Sequence, residues 1–335
     1  MIEIDGSYLE GGGQIVRTSI ALSALTKKPV HIYNIRANRK PSGLKHQHLS
    51  AILAVSKLYN AELKNAYIGS EELFFYPREV SKNYIEVKLE TSGSVCLVLQ
   101  TIFLALSNTK EHIRVKINGG GTFGKWAPSI SYLENVFLPT LKKFGFNAEI
   151  KIIRHGFYPK GGAKVIADVY KSELKGKIIE RNISRICGIS ISSKNLKKAQ
   201  VSERQMEGVL EVLKDYKLNI KPEHVDTLSP GSAIDLWTED TRIGANYLGE
   251  IGLKAEKVGK MAGILLNKNI ISMGSTDPYL ADQLIPFISL AEGESKYTTR
   301  ELTNHTKTNI WVVEKFIDRK FIIRKKQNLY EIMIS

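Results

Sequence analysis

The chain has few cysteines and no long apolar run. Its 335 residues include only two cysteines, Cys96 and Cys187, and neither belongs to a CxxC pair. A disulfide framework and a cysteine-ligated zinc site are therefore not expected. Cys96 lies in the run SVCLVLQTIFLAL, where it fits as a small buried hydrophobic residue. Because no run reaches about 18 apolar residues, no membrane span is predicted.

The first residues, MIEIDGSYLEGGG, do not form a basic stretch followed by an apolar one. A secretory signal is therefore not expected. Together with the lack of a membrane span, this favours a soluble, cytoplasmic protein.

Acidic residues are scarce relative to basic ones. The chain has 34 Asp and Glu against 48 Lys and Arg, which gives a net charge of +14. Such an excess favours a polyanionic partner, most simply a nucleic acid, because phosphate contacts release counterions. The alternative is a lysine-rich surface that binds no partner.

The glycine-rich turns match neither GxGxxG nor GxxxxGK[ST], so neither a Rossmann nor a Walker site is supported. GGGQ follows Glu10, between a predicted strand and a predicted helix. Such a turn lets backbone N–H groups approach a phosphate, although it can equally be a tight turn alone. Glu10 is a candidate metal ligand, and Arg17, within the next helix, is a candidate phosphate contact.

Strand-like and helix-like runs alternate in a repeated order. Two successive units read strand–helix–strand–helix–strand–strand, and their helices are displaced by roughly 80 residues. A third unit begins near Ile183 and is interrupted by a βαββα segment from about Ser184 to Ser275. The predicted class is a layered α/β fold of three related units. The expected large domain spans 1–183 and 276–335, and the inserted α/β domain spans 184–275.

Three further segments carry residues suited to phosphate or nucleotide binding. RANRKPSGLKHQH places Arg36 and Arg39 around a Pro-Ser-Gly turn, where their guanidinium groups suit phosphates, although a solvated basic loop is the alternative. DPYLADQL is a predicted helix start with Tyr279, Asp282 and Gln283 on adjoining faces. His305 lies in ELTNHTKTNI, interpreted as a polar loop before the apolar run IWVVEKF. A lone histidine there can be a nucleophile, a ligand or a structural residue.

Taken together and in this order, the motifs resemble those of the RNA 3'-terminal phosphate cyclase family. The resemblance covers nearly the whole chain, with Ala163 where the family has a third glycine after RHGFYP. It implies a large domain of three related units with a smaller inserted domain. It also implies an ATP-dependent enzyme that converts an RNA 3'-phosphate into a 2',3'-cyclic phosphodiester. The motifs that carry it are DGSYLEGGGQIVR, IRANRKPSGLKHQHL, TSGSVCLVLQT, GGGTFGKWAPS, RHGFYPKGG, YLADQL and HTKTN.

The resemblance also implies roles for individual residues. His305 matches the nucleophile that carries AMP, with Thr308 and Asn309 as candidate orienting groups. Glu10 matches the position associated with the metal, Mg²⁺ or Mn²⁺. No catalytic role is assigned to His46, His48 or His155. The candidate nucleotide and phosphate contacts are Gln100, Pro128, Tyr279, Asp282, Gln283, Arg17, Arg36 and Arg39.

Three other functions compete with this interpretation. A non-catalytic relative acting as an RNA-processing scaffold would lack the histidine of HTKTN. An enolpyruvyl transferase, built from similar repeated units, needs neither that histidine nor a basic surface. A plain nucleic-acid-binding module would explain the charge, but not the clustered ligand-type residues.

Overall fold

Two helices back the first of four β-sheets. The computed structural model describes residues 1–335. The first sheet has the spatial order β1-β2-β4-β3, with β1 and β2 parallel and the other pairs antiparallel. Its elements are β1 (Ile2–Asp5), α1 (Gly13–Thr26), β2 (Val30–Tyr33), α2 (His46–Tyr59), β3 (Glu62–Lys64) and β4 (Leu73–Tyr76).

Helix α1 shows how the glycine-rich turn and the apolar pattern define an element. Gly11 has φ +55, a left-handed conformation that lets the chain turn back from β1. The helix then buries an apolar face that includes Ile15, Val16 and Ile20. It ends where Lys27 adopts a left-handed conformation with φ 58. The predicted helical run GQIVRTSIALSALT coincides with the observed helix.

The second sheet repeats the strand order of the first, as β5-β6-β8-β7. One long helix was predicted over PSISYLENVFLPTLKKFG, but a π-helical turn, Leu133–Phe137, interrupts it. Pro139 lacks the N–H that an α-helix would direct to the carbonyl of Asn135. Arg242 Nη1 donates to that carbonyl instead, at 3.3 Å. The elements are β5 (Tyr84–Ser94), α3 (Val95–Ala105), β6 (Ile113–Gly121), α4 (Ile130–Tyr132), α5 (Leu138–Lys143), β7 (Ala148–Arg154) and β8 (Lys164–Val169).

The third sheet has the order β10-β9-β11-β12. Its strand β12 was missed in the predicted βαββα segment. Because glycines flank the short run GANYLG and favour turns, its pairing with β11 is what makes it a strand. The elements are β9 (Ile186–Ser193), a 3₁₀ turn (Lys194–Ala199), α6 (Val201–Leu213), β10 (Leu218–Val225), β11 (Ser232–Thr238), β12 (Gly244–Leu248) and α7 (Ala255–Ile271).

The fourth sheet has the order β13-β15-β14, with both pairs antiparallel. Parallel bridges join Lys175 to Glu292 and Ile178 to Lys296, so residues 175–178 run beside the start of β13. The elements are α8 (Pro278–Leu290), β13 (Ser295–Thr299), α9 (Asn304–Phe316), β14 (Phe321–Lys326) and β15 (Leu329–Ile334).

The apolar interior is divided between two clusters, as expected for a mixed α/β chain of this length. One cluster of 11 buried residues lies entirely within residues 186–270. The other has 67 residues and includes Ile191, Ala233 and Trp237 from β9 and β11. Strand β11 is therefore covered on both faces, by α6 and α7 on one side and by the rest of the chain on the other. No helix is both long and apolar enough to span a membrane.

Candidate active site

His305 lies in the first turn of α9 rather than in the polar loop that was predicted. Thr303 caps this helix, because its Oγ1 accepts a hydrogen bond from the backbone N–H of Thr306 at 3.1 Å. The interpretation as a loop was wrong because a polar T-N-H-T sequence is also a good helix start. The helix fixes the imidazole on a rigid element.

Two contacts from the turn before α1 and from its first residues orient the imidazole. Gln14 Nε2 donates a hydrogen bond to the carbonyl oxygen of His305 at 3.1 Å. The Oε1 atom of the same amide therefore faces Nδ1 and accepts a hydrogen bond from its N–H. The other ring nitrogen, Nε2, then carries the lone pair. It lies 3.4 Å from Glu10 Oε1. The arrangement presents a fixed, unprotonated nitrogen at the protein surface.

The surroundings of His305 favour the neutral ring. Burial lowers the pKa of His305, and the positive charges of Arg17 and Arg39 lower it further, while Glu10 opposes the shift. A neutral imidazole is the nucleophilic form. His305 is therefore available for attack at neutral pH.

Three predicted arginines surround the same turn. Arg39 donates through Nε to the carbonyl of Glu10 at 3.0 Å and through Nη2 to Glu10 Oε2 at 3.2 Å. Arg17 is half-buried on α1, and burial alone lowers its pKa to about 10, so the guanidinium stays charged. Arg36 adopts φ 58, and its buried Nε has no hydrogen-bond partner. Arg39 is paired with Glu10, whereas Arg36 keeps a donor without an acceptor, and such a donor suits an anion such as a phosphate.

Glu10 fits a divalent cation only in one binding mode. One carboxylate oxygen faces His305 and the other contacts Arg39. No group of three or more His, Cys, Asp or Glu side chains forms a metal cage in the chain. Mg²⁺ is commonly held by one or two carboxylates together with substrate phosphates, and a single Glu10 suits that mode.

Asp282 lies beneath α9, where it braces the start of the helix. Its carboxylate is 6% exposed and accepts from Thr303 Oγ1 at 2.6 Å and from Thr306 Oγ1. Burial raises its pKa to about 7, against the effect of these two hydrogen bonds. Its backbone carbonyl accepts from Asn309 Nδ2 at 2.8 Å. These contacts fix α8 against α9.

The two candidate orienting groups on α9 differ. Asn309 Oδ1 accepts from Thr18 Oγ1 at 3.0 Å, which joins α9 to α1 and so sets the position of His305 relative to Glu10. Thr308 is buried, and its hydroxyl makes no hydrogen bond. The structure therefore gives Asn309 a positioning contact and Thr308 none.

The remaining predicted nucleotide contacts lie on α8, on α3 and just before α4. Tyr279 is 65% exposed on the first turn of α8, and Gln283, one turn later, has a buried Oε1 without a partner. Gln100 on α3 and Pro128 before α4 are half-buried. An unpartnered amide oxygen and an exposed ring are suited to the hydrogen-bonding edge and the face of a base.

Asp277, the N-cap that the Asp-Pro pair predicts for α8, also holds two of these segments together. It caps α8 by accepting from the N–H groups of Tyr279 and Leu280 at 3.0 and 2.9 Å. Tyr132 Oη donates to both of its oxygens at 2.9 and 3.0 Å. Asp-Pro was recognised as a helix start, but the tyrosine contact crosses 145 residues and leaves no local signal.

Two of the other histidines near these segments, His48 and His155, are buried, whereas His46 is not. His48 is buried against Gly13, and its Nδ1 accepts from the backbone N–H of Lys45 at 3.2 Å. Burial lowers its pKa to about 3. His155 contacts Thr122 Oγ1 at 3.2 Å, and burial lowers its pKa to about 4. His46 is exposed on α2.

Comparison with known proteins agrees with this geometry. A family described as RNA 3'-terminal phosphate cyclase matches residues 8–323. Among proteins of that name, the one from Methanosarcina barkeri is 43% identical, with 100% of both chains covered. That from Pyrococcus furiosus is 45% identical over 97% of this chain and 95% of its own. With the family match spanning nearly all of the chain, the protein belongs to the RNA 3'-terminal phosphate cyclase family.

Proposed function

We propose that the protein is an ATP-dependent RNA 3'-phosphate cyclase, which closes an RNA 3'-phosphate into a 2',3'-cyclic phosphodiester. The observation that carries the proposal is the neutral His305 ring, whose Nε2 is unprotonated and lies among Glu10, Arg17 and Arg39. A nitrogen nucleophile next to positively charged side chains suits attack on a phosphoryl group. The names of the relatives agree with it.

The reaction proceeds in three displacements at phosphorus. His305 Nε2 attacks the α-phosphorus of ATP, forms a P–N bond and expels pyrophosphate, while Gln14 accepts the hydrogen bond from Nδ1–H. An oxygen of the RNA 3'-phosphate then attacks the same phosphorus and releases His305. Finally the adjacent 2'-OH attacks the RNA phosphate, loses its proton and expels AMP. Nucleophile and electrophile share one ribose in this last step, so proximity lowers its barrier.

The predicted site residues fit this reaction as a set. Arg17, Arg36 and Arg39 neutralise the phosphates of ATP and RNA. Glu10 holds a divalent cation, Mg²⁺ or Mn²⁺, which when bound supplies positive charge to the phosphate oxygens. The nucleoside of ATP is contacted by Gln100, Pro128, Tyr279, Asp282 and Gln283. Of these, Asp282 acts mainly by holding the start of α9 in place, because its carboxylate accepts hydrogen bonds from Thr303 and Thr306.

We also propose that the chain consists of a large domain, 1–183 and 276–335, with an inserted domain, 184–275. The shared strand order of the first two sheets supports a repeated unit. Residues 175–178 beside β13 supply a first strand for a third unit, interrupted by the insertion. The separate apolar cluster within 186–270 supports a second domain.

Transfer of label from ATP tests the function. The protein is incubated with Mg²⁺ or Mn²⁺ and ATP labelled at the α-phosphate, then denatured. We expect an acid-labile, alkali-stable adduct that disappears in His305→Ala and persists in His46→Ala, which removes an exposed histidine on α2. An unlabelled native protein in both metals would refute the covalent mechanism.

A second assay tests the substrate. An oligoribonucleotide with a 3'-phosphate should become phosphatase-resistant with ATP and the native protein. The same oligonucleotide with a terminal 2'-deoxyribose should accept AMP and go no further, because it has no hydroxyl to close the ring.

A further inference from the structure

Two of the most exposed large side chains in the protein are aromatic and lie on adjoining loops. Trp126 is 97% exposed and Tyr158 is 77% exposed. Trp126 lies in the loop between β6 and α4, and Tyr158 lies between β7 and β8. Exposed rings of this size lose the burial energy that large aromatic side chains usually gain.

The bases of the two loops are fixed to each other. The rings of Phe123 and Phe157 stack with centroids 5.1 Å apart, and both side chains are buried. The backbone N–H of Thr122 donates to the carbonyl of Gly156 at 2.9 Å. Only the loop tips, with the two aromatic rings, reach solvent. Because the loops are already ordered, binding through these rings has little conformational entropy to overcome.

The second loop is also held from its other side. The backbone N–H of Lys160 donates to Ser229 Oγ at 3.1 Å, and the N–H of Gly161 donates to the carbonyl of Phe157 at 2.8 Å. Leu228 lies so close to Gly162 that a Cβ there would meet it at 2.3 Å. Tyr158 is therefore presented on a braced turn rather than on a free loop.

The rings adjoin the proposed nucleotide site and carry positive charge beside them. Trp126 precedes Pro128 by two residues, so their Cα atoms lie within about 7 Å of each other. Lys160 is exposed two residues after Tyr158, and Lys125, the residue before Trp126, is exposed and forms a surface ion pair with Glu250 at 3.1 Å, which a phosphate can replace. Stacking faces combined with basic side chains are the combination that binds single-stranded nucleic acid.

We propose that Trp126 and Tyr158 form a stacking platform for bases of single-stranded RNA upstream of the 3'-terminal nucleotide. The inference rests on the proposed cyclase function and adds a subsite to it. Lys125 and Lys160 contact the connecting phosphates. Because every base has a π-face, the platform gives affinity for RNA length without sequence specificity.

Binding without ATP tests the platform independently of catalysis. Anisotropy of a 5'-fluorescein hexaribonucleotide with a 3'-phosphate is measured with native protein, Trp126→Ala, Trp126→Phe and Tyr158→Ala. We expect the alanine variants to weaken binding roughly 5- to 150-fold and Trp126→Phe to restore most of the loss. Tyr84→Ala is the matched control. Tyr84 is 47% exposed at the first residue of β5, whereas the last residue of that strand, Ser94, pairs with Gly121 at the end of β6 that leads into the Trp126 loop. It should bind like the native protein.

Substrate length separates the platform from the reacting centre. In cyclisation assays, Trp126→Ala should raise KM for the hexanucleotide and leave KM for a nucleoside 3'-phosphate unchanged. Equal effects on both substrates, or no effect on either, would overturn the inference. Loss of self-adenylylation in Trp126→Ala would show that the ring binds ATP instead of RNA. A native protein that dimerises with increasing concentration, and a Trp126→Ala variant that does not, would show that the ring belongs to a protein interface. A native protein that binds the hexanucleotide through these rings but takes no label from ATP would refute the cyclase function alone.

Discussion

Asp235 is a buried carboxyl at the contact between the third sheet and the segment before α4. It lies on β11 with 2% of its surface exposed, where its Oδ1 accepts a hydrogen bond from Ser129 Oγ. Its other oxygen, Oδ2, has no partner. Burial raises the pKa of this carboxyl to about 7, although the hydrogen bond from Ser129 lowers it. We predict that Asp235→Asn stabilises the protein increasingly as the pH rises.

The sign follows from proton binding. Between pH 3.8 and about 7 the carboxyl of the folded protein keeps a proton that the unfolded chain has lost. The contribution of Asp235 to the free energy of unfolding is therefore complete below pH 3.8 and falls as the pH rises to about 7. Each pH unit in this range lowers the free energy of unfolding by about 1.4 kcal/mol. The loss is therefore about 1.5 kcal/mol at pH 5 and on the order of 4 kcal/mol at pH 8. The variant has no such loss. Its advantage over the native protein should therefore grow by about 2–3 kcal/mol between these two pH values.

Urea unfolding at pH 5 and pH 8 measures the effect. Taking the difference between variant and native protein removes the contributions of other titrating groups, including Asp282. Ser129→Ala is the complementary change: it removes a hydrogen bond that favours the ionised carboxyl and also the cap of α4. It should be less stable than the native protein at both pH values, and more so at pH 8. A difference between Asp235→Asn and native protein that does not change with pH would refute the reasoning.

Three more predictions concern the site. Because the pKa of His305 is lowered from 6.5, the single-turnover rate of self-adenylylation should fall on the acid side with a midpoint below pH 6.5; a midpoint above it would contradict the neutral nucleophile. Arg17→Gln should raise KM for ATP roughly 10- to 100-fold in steady-state assays, since a charged phosphate contact is lost, and an unchanged KM would exclude that contact. Gly13→Ala would place a Cβ 2.0 Å from His48 Nε2 and should lower the free energy of unfolding by about 1–3 kcal/mol in urea, whereas native-like stability would show that His48 can move.

Most helices and strands follow from local patterns. The run that forms α1 is predicted to the residue, because its apolar face and its glycine turn are both local features. The missed strand β12 has no such signal, since it exists through pairing with β11. Pro139 is a local signal for the interruption at Leu133–Phe137, but Arg242, which donates to the carbonyl of Asn135 that is left free, lies more than 100 residues later in the chain. Local sequence cannot indicate such partners.

The geometry of the candidate site depends even more on distant contacts. Glu10 and His305 meet because α1 packs on α9, through Thr18 and Asn309. The family resemblance indicated which residues belong to the site. It did not indicate that the Asp282 side chain is buried and accepts hydrogen bonds at the start of α9. Gln14 was overlooked because a glutamine after three glycines has no distinctive pattern of its own. Its role appears only when both of its contacts to His305 are seen together.

The third sheet contacts the segments that carry two of the predicted nucleotide contacts, Pro128 and Tyr279. From β11, Asp235 contacts Ser129, which follows Pro128. From the start of β12, the backbone N–H of Gly244 donates at 2.9 Å to Asp277, which caps the helix that carries Tyr279. Tyr132 joins the two contacts through its bond to Asp277. A shift of the third sheet would therefore move the segments of Pro128 and Tyr279 together, so this sheet and those two segments form one connected framework.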